Sequence, residues 1–459
     1  MECLHSALLR FVFVALLGVT LSGCNDDSSS TTATPTGKLT GTVTKAAATP
    51  TVAINEARVT IFNAKNDSLV AIVTTDATGK YSRSLTPGNY YIKVAAQGYN
   101  PAPPTLVEPV PFAIATDKTT TQDVEMLAAT NPYTGWINGK VWVGDSGKKG
   151  VLVVASNGTA AFSALSGPDG TYTLFNVLPG DYSLTGYLAG YGMLFAVDNV
   201  TVTTGNAGTT GVDPNITDKI YLALTANAPL SKVNVSLSAS GAITATPETM
   251  LVSLIHPLTR DPIPGLAQSL PYAPSISYQF SGVPDGTYLV RASYANDTIV
   301  VDPDTRVKYG EPQVIASLGY VYPDPVPVET TGAVTLNSPT NAMESAEPIP
   351  ISATPAPTFK WSAYAGASDY VIEVTDATTG TVVWGGFRGS YDATLKNIVI
   401  PAAQTSIVFN KDYTATTPTL LSGHVYRWRI YASQDDVTAV TGWKLIGASE
   451  EQQGLFKVQ

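Results

Sequence analysis

Apolar and polar positions alternate along most of this chain, and the alternation recurs in a fixed order. Leu39, Gly41 and Val43 fall at every second position, and so do Val59 and Ile61 within Ala57-Arg58-Val59-Thr60-Ile61-Phe62. A period of two predicts half-buried β-strands. Leu69-Val70-Ala71-Ile72-Val73 reads as the next strand. Two turns follow. In the first, Asp76 begins the turn, Gly79 supplies a positive φ, and Tyr81 opens the next strand. In the second, Pro87-Gly88-Asn89-Tyr90 leads into Tyr91-Ile92-Lys93-Val94, with Pro87 presetting φ.

The same order is written again over residues 137–184. Ile137-Asn138-Gly139-Lys140-Val141 matches the opening strand, and Val151-Leu152-Val153-Val154 the second. Asp169-Gly170-Thr171-Tyr172 and Pro179-Gly180-Asp181-Tyr182 match the two turns. Pro87 and Pro179 are 92 residues apart, a domain-sized repeat rather than a solenoid rung. A third, divergent copy keeps Pro284-Asp285-Gly286-Thr287-Tyr288 and the alternating Val233, Val235 and Leu237. Tyr278 stands ten residues before Tyr288, as Tyr172 stands before Tyr182.

Residues 322–357 are proline-rich and predict an extended, semi-rigid connection, part of which could form an edge strand. Beyond them the alternation changes character. Thr358-Phe359-Lys360-Trp361 and Tyr370-Val371-Ile372-Glu373-Val374 read as strands. In the strand from Val425, residues Val425, Arg427, Arg429 and Tyr431 share one face, with Tyr426, Trp428 and Ile430 on the other.

Composition supports an all-β reading. With 38 glycines and 32 prolines among short Val/Ile/Thr/Tyr runs, turns are frequent and long charged helices are absent. The formal net charge is -10 and charged residues make up 14%, so the basic footprint of a nucleic-acid binder is missing.

The N-terminus breaks the alternation. The apolar run at 11–21 is too short to span a bilayer comfortably and has the length of a secretory core segment. Leu21-Ser22-Gly23-Cys24 resembles the bacterial lipobox. That resemblance implies cleavage after Gly23 and acylation of Cys24, with palmitate among the chains and the lipid as the tie to the membrane. Asn25 in place of aspartate implies sorting to the outer membrane, on its periplasmic or extracellular face. Residues 24–36 then form the lipidated cysteine and a flexible polar tether. Cys3 leaves with the signal at 1–23, so the mature chain has no internal disulfide.

The repeats at 37–128 and 135–216 resemble the carboxypeptidase regulatory-like domain. They share the Gly41-Thr42-Val43 and Gly139-Lys140-Val141 openings, the Asp-to-Tyr turns and the Pro-Gly-x-Tyr turns. The resemblance implies prealbumin-like β-sandwiches and no peptidase activity, since the family takes its name from a non-catalytic appendage. A divergent third sandwich is expected at 218–328. The last module, 335–459, resembles fibronectin type III, with Trp361 as the early core tryptophan and Tyr426 as the late-strand tyrosine. Its insertion from 385 to 419 is longer than that family's pattern. The whole is expected to be serial β-sandwich modules behind a lipoprotein signal and tether.

Catalytic sets are absent from the sequence. The mature chain holds His256 and His424 alone, 168 residues apart, which does not suggest a zinc site. No H-E-x-x-H, G-x-S-x-G, phosphate loop or haem attachment pair occurs. No catalytic residue, metal or cofactor is expected. Asp76 and Asp169 sit in glycine-containing turns, where side-chain-to-backbone bonding accounts for them and calcium is the alternative. His424, beside Gly423 at a strand start, is expected at the surface.

The binding hint lies in the tryptophans. Trp136 and Trp142 are six residues apart and would share a strand face, unless Gly139 introduces a bulge. They read either as packing at strand ends or between modules, or as a flat platform for a glycan. Trp361 and Trp428 read as core, and Trp384 and Trp443 as lying near loops or strand ends.

These features predict a non-catalytic surface lipoprotein acting as a structural, adhesive or assembly scaffold. The alternatives are a carbohydrate-binding lipoprotein and an accessory subunit of a cell-envelope enzyme complex. Its partners would be the membrane and a cell-surface protein or polysaccharide. A scaffold of this kind is expected to lack a concave polar pocket. A deep cleft holding two or more buried carboxylates would sink it.

Overall fold

Strand Gly37–Lys45 buries Leu39, Gly41 and Val43 on one face and turns the residues between them outward, as its period requires. The computed structural model describes residues 35–459 apart from 47, 49, 106, 132, 133, 204–219, 240–248, 272, 274, 294–297, 318 and 342–346. Residues 1–34, with the lipid-attachment candidate Cys24, lie outside the described residues. Pro35–Gln459 cluster as one unit.

Gly37–Lys45 lies between Lys80–Leu85, antiparallel, and the short strands Thr119–Thr121 and Val124–Met126, both parallel to it. A second sheet runs in the order Leu69–Thr74, Arg58–Asn63, Gly88–Ala95, Phe112–Ile114. Leu39, Val43, Val59, Ile61, Tyr81 and Tyr90 close the core between the two sheets.

The pairing recurs. Gly135–Val143 lies between antiparallel Thr171–Val177 and parallel Ile220–Thr225. Ser231–Ala239 lies between antiparallel Ser275–Val283 and parallel Val326–Gly332. Each of the three modules therefore closes with a strand parallel to its first. The second sandwich reaches Ile220–Thr225, and the third reaches Val326–Gly332.

Physical reasons for the repeated motifs are visible. Gly41 faces Tyr81 and Gly139 faces Tyr172 across the first antiparallel pair. A side chain at Gly41 would start 2.8 Å from the Tyr81 ring and 1.9 Å from the Gln122 carbonyl oxygen. In the second motif, the hydroxyls of Tyr90, Tyr182 and Tyr288 donate to the carbonyls of Thr86, Leu178 and Pro284 at 2.8, 2.9 and 2.7 Å. Each tyrosine pins the turn that precedes its own strand. The preceding glycines have φ of +157°, +151° and +158°.

The proline-rich seam supplies three strands to two modules, more than the single edge strand expected of it. Val326–Gly332 completes the third module, while Leu336–Ser338 and Ile349–Ile351 belong to the fourth. The prolines fit because of where they fall. Pro350 lies on an edge strand, and the second ladder along Val326–Gly332 begins only at Thr330, beyond Pro327.

The last module has a three-stranded sheet, Leu336–Ser338, Thr358–Trp361 and Ser406–Val408, and a seven-stranded one centred on Val425–Asp435. Phe359, Trp361, Tyr370, Trp384, Trp428 and Phe456 fill the space between them. Trp384 and Trp443 lie at strand ends, yet both are buried. A π-helical turn, Thr305–Tyr309, and a 3-10 turn, Tyr391–Ala393, interrupt an otherwise all-β chain. Among the described residues no helix is long and apolar enough to cross a membrane.

The modules are not merely consecutive. Phe62 and Tyr91 of the first share an apolar cluster with Leu152 and Tyr187 of the second and Val252 and Tyr288 of the third. Val300 of the third packs with Tyr431 and Trp443 of the fourth.

Candidate functional site

Strand Val425–Asp435 is buried on both faces over residues 426–433. Tyr426, Trp428 and Ile430 enter the core, so Arg427, Arg429 and Tyr431 point the other way. What covers them comes partly from other modules and partly from their own. Arg427 donates from Nη1 to the Glu108 carbonyl at 3.3 Å and from Nη2 to the Pro109 carbonyl at 3.5 Å, both in the first module. Arg429 donates to Glu451 Oε1 at 3.3 Å and to the Ser449 carbonyl at 3.1 Å. Arg306, on the π-helical turn of the third module, and the Tyr431 hydroxyl both donate to Glu373 Oε1, at 3.3 and 3.4 Å.

These groups line a cleft of about 1090 Å³ where the first, third and fourth modules meet. Glu311, which also lines it, accepts from Arg260 and, at 3.3 Å, from Arg291. Seven acidic and seven basic side chains line the cleft, so it is charge-balanced.

Burial and pairing set the protonation states. Burial pushes the Glu108 carboxyl up, but Arg427, Arg306 and Arg429 outweigh it and hold it below the usual glutamate range. Glu451 moves up, through burial and the neighbouring Glu108 charge, against the pull of Arg429. Next to it, Glu450 is pushed up to about 8 by burial and by Glu451. Asp302 rises to about 6, chiefly through burial.

Several polar atoms here are shielded from solvent without a hydrogen-bond partner among the described residues. They are Glu108 Oε2, Arg427 Nε, Arg429 Nε and Gln452 Oε1. Leaving such atoms unpaired is costly, so each marks a place where a further polar partner would be stabilised.

The expectation of packed sandwiches without a concave polar pocket is therefore corrected. The cleft holds the carboxylates Glu108, Glu373 and Glu451, each half-buried rather than buried. They are interleaved with arginines rather than set against one another, because three modules contribute charge of both signs to one seam. Arginine stays protonated, so it neutralises these acids without exchanging protons. The arrangement is equipped to bind and brace. Sequence reading missed it, although Arg427-Trp428-Arg429 inside an apolar strand was a signal. Two cations opposite a core tryptophan need something to cover them.

The other candidates lie elsewhere. Trp136 and Trp142 share the outward face of Gly135–Val143, with Asn138 and Lys140 between them. The ladder to both neighbours runs through Gly139 without a bulge there. Both rings are half-buried, and the Lys140 ammonium lies 4.1 Å from the centre of the Trp142 ring. Asp76 Oδ1 accepts from the Thr78 amide and hydroxyl at 2.8 and 2.7 Å, and Asp169 Oδ1 binds Thr171 in the same way. Both aspartates thus serve their own turns. Among the described residues no group of three or more His, Cys, Asp or Glu is placed to hold a metal ion.

The histidines are both engaged. His424 is half-buried rather than a surface residue, with Nδ1 2.7 Å from Asp376 Oδ2. His256 is buried against Tyr187, and its Nδ1 accepts from the Leu258 and Thr259 amides.

The carboxypeptidase regulatory-like domain family matches this chain over residues 38–127, the first module. No curated protein matches. Among solved structures, the Bacillus anthracis TIE protein is 11% identical, over 65% of this chain and 51% of its own, with a TM-score of 0.17. A streptococcal ancillary pilin is 15% identical over 42% of this chain and 63% of its own, at 0.19. The shaft pilin SpaA of Lactobacillus rhamnosus GG is 10% identical over 42% of this chain and 97% of its own, at 0.18. This chain spans about half of the first of these structures and under two thirds of the second. Likenesses at these TM-scores carry no argument about arrangement or activity.

Proposed function

We propose that this chain is a non-catalytic surface scaffold. Acylated Cys24 and the tether at 24–36 hold it to the outer membrane, and its β-sandwich modules present a fixed surface to other envelope components. The first module, the second as far as Ile220–Thr225 and the third as far as Val326–Gly332 are of the prealbumin-like kind, and the last is fibronectin type III-like. The observation that carries this reading is the coupling of modules through charged and polar ties. Asp261 of the third module accepts from Lys93 of the first at 2.6 Å and from Ser163 of the second. A flexible string of spacers has no use for such ties; a part that must hold its neighbours in register does.

Crosslinking of the native chain in intact cells, followed by identification of what it touches, tests the reading. Recovery of one or more defined envelope components supports it. A chain that is released from the membrane fraction only by detergent, and whose Cys24→Ser variant is not, supports the anchor. Crosslinking to nothing but solvent-exposed reagent, or a Cys24→Ser variant that fractionates like the parent, overturns the corresponding half.

A second reading is favoured by one observation. Trp136 and Trp142 face outward together and stand about 20 Å apart at the ordinary rise per strand residue. With Asn138 and Lys140 between them they form the row a glycan chain would lie along. Polysaccharide pull-down lost on Trp136→Ala or Trp142→Ala supports it; retention of binding in both variants removes it.

A further inference from the structure

The inter-module cleft is lined by hydrogen-bonding groups that the described residues leave partly unpaired. Its floor combines shielded donors without partners, Arg427 Nε and Arg429 Nε, with shielded acceptors without partners, Glu108 Oε2 and Gln452 Oε1. Arg427 and Arg429 are only 5% and 3% exposed, so a ligand pairs with their Nε atoms only as side chains of the lining shift, the kind of rotamer change that is common on binding. The volume, about 1090 Å³, lies just above the ~300–1000 Å³ range of small-molecule sites, so it has room for an oligomeric ligand.

Three features narrow the occupant. Donors and acceptors line one space, and a hydroxyl is the small group that gives and takes a hydrogen bond at once. The lining carries seven charges of each sign, so a strongly charged ligand gains nothing from the field as a whole. Tyr309 lines the cleft and is 62% exposed, meeting Tyr391, 57% exposed, edge to face with ring centres 5.6 Å apart. Tyr391 holds that position with φ +52°, a conformation that non-glycine residues rarely adopt and that clusters at ligand clamps. An exposed aromatic ring beside a floor of charged hydrogen-bonding groups suits an apolar sugar face above and hydroxyls below.

We propose that this cleft binds a neutral, polyhydroxylated ligand of oligosaccharide size. The site is separate from the Trp136 and Trp142 row and does not depend on the scaffold reading.

Calorimetric titration of the detergent-solubilised full chain with cellotetraose, mannotetraose and xylotetraose tests this, with tetragalacturonate as the charged comparison. At least one neutral tetrasaccharide is expected to bind in preference to tetragalacturonate. Glu108→Gln and Arg427→Lys are each expected to weaken it about tenfold, the size of one lost hydrogen bond to a charged group. Tyr309→Ala, at an exposed position, is expected to weaken it while leaving the melting temperature unchanged, so loss of binding there is not loss of fold. The proposal is overturned if none of the three neutral sugars binds at millimolar concentration, or if tetragalacturonate binds more tightly. It is overturned equally if Trp136→Ala removes binding while Tyr309→Ala and Glu108→Gln do not, which would place the sugar on the second module.

Discussion

The Lys93 ammonium lies 2.6 Å from Asp261 Oδ1, across a sequence separation of 168 residues and the boundary between the first and third modules. Ser163 of the second module donates to the other oxygen of the same carboxylate. One aspartate thus ties three sandwiches. Burial pushes its carboxyl up, but the Lys93 charge and the Lys93 and Ser163 hydrogen bonds bring it below the usual aspartate range.

Asp261→Ala should therefore destabilise the chain by about 2–3 kcal/mol, because it strands a partly buried lysine and a serine hydroxyl. Urea unfolding of the variant checks this. A folded-state pKa below the unfolded value means that the contribution is present above the unfolded value and is lost as pH falls through the folded one. Asp261→Asn should remove that part of the acid sensitivity. An unchanged acid limb would show that the tie carries no stability.

Glu450 should give a slope of opposite sign. Its carboxyl is pushed up to about 8, from a usual value of 4.5, so the folded state favours the protonated form. Stability is then expected to decline as pH rises from about 4.5 to about 8 and to level off above that. Glu450→Gln, which keeps an acceptor for the Gln452 and Gln453 amides, should flatten this slope and raise the melting temperature at pH 8. Thermal melts across that range decide it.

The two histidines should titrate in opposite directions. The hydrogen bond to Asp376 raises His424, despite some burial. Its contribution is full below the unfolded histidine value and is lost as pH rises through the folded one. Burial lowers His256, whose Nδ1 already accepts two amides, so its contribution is lost as pH falls through its folded value. NMR titration of the ring protons should place His424 above and His256 below an exposed histidine. The same order for Asp376→Asn would remove the account of His424.

The tyrosine that closes each module should matter through its hydroxyl. Tyr288→Phe removes a 2.7 Å bond to the Pro284 carbonyl and should cost about 1–2 kcal/mol. The glycine before it should be less replaceable than its counterpart in the first module. A side chain at Gly286 would meet Tyr187 at 3.0 Å and Tyr288 at 3.1 Å, whereas one at Gly88 would find Tyr90 no nearer than 3.6 Å. Gly286→Ala should therefore lower the melting temperature more than Gly88→Ala. Equal losses would mean that backbone strain alone sets the cost.

The sequence by itself determined the strands and the repeated turns, because these depend on near neighbours. Period two in 37–43 fixes which residues face inward, and Pro-Gly-x-Tyr carries its own turn, hydrogen bond and ring. Parity alone left open whether Trp136 and Trp142 share a face, and the ladder through Gly139 without a bulge decided it. Only the tertiary structure decided that the proline-rich seam supplies Val326–Gly332 to one sandwich and Ile349–Ile351 to another, because parallel pairing joins residues far apart in the chain. The same holds for the cleft. Arg427, Glu108 and Arg306 come from three modules, and no local pattern records that burial and opposite charge bring them together.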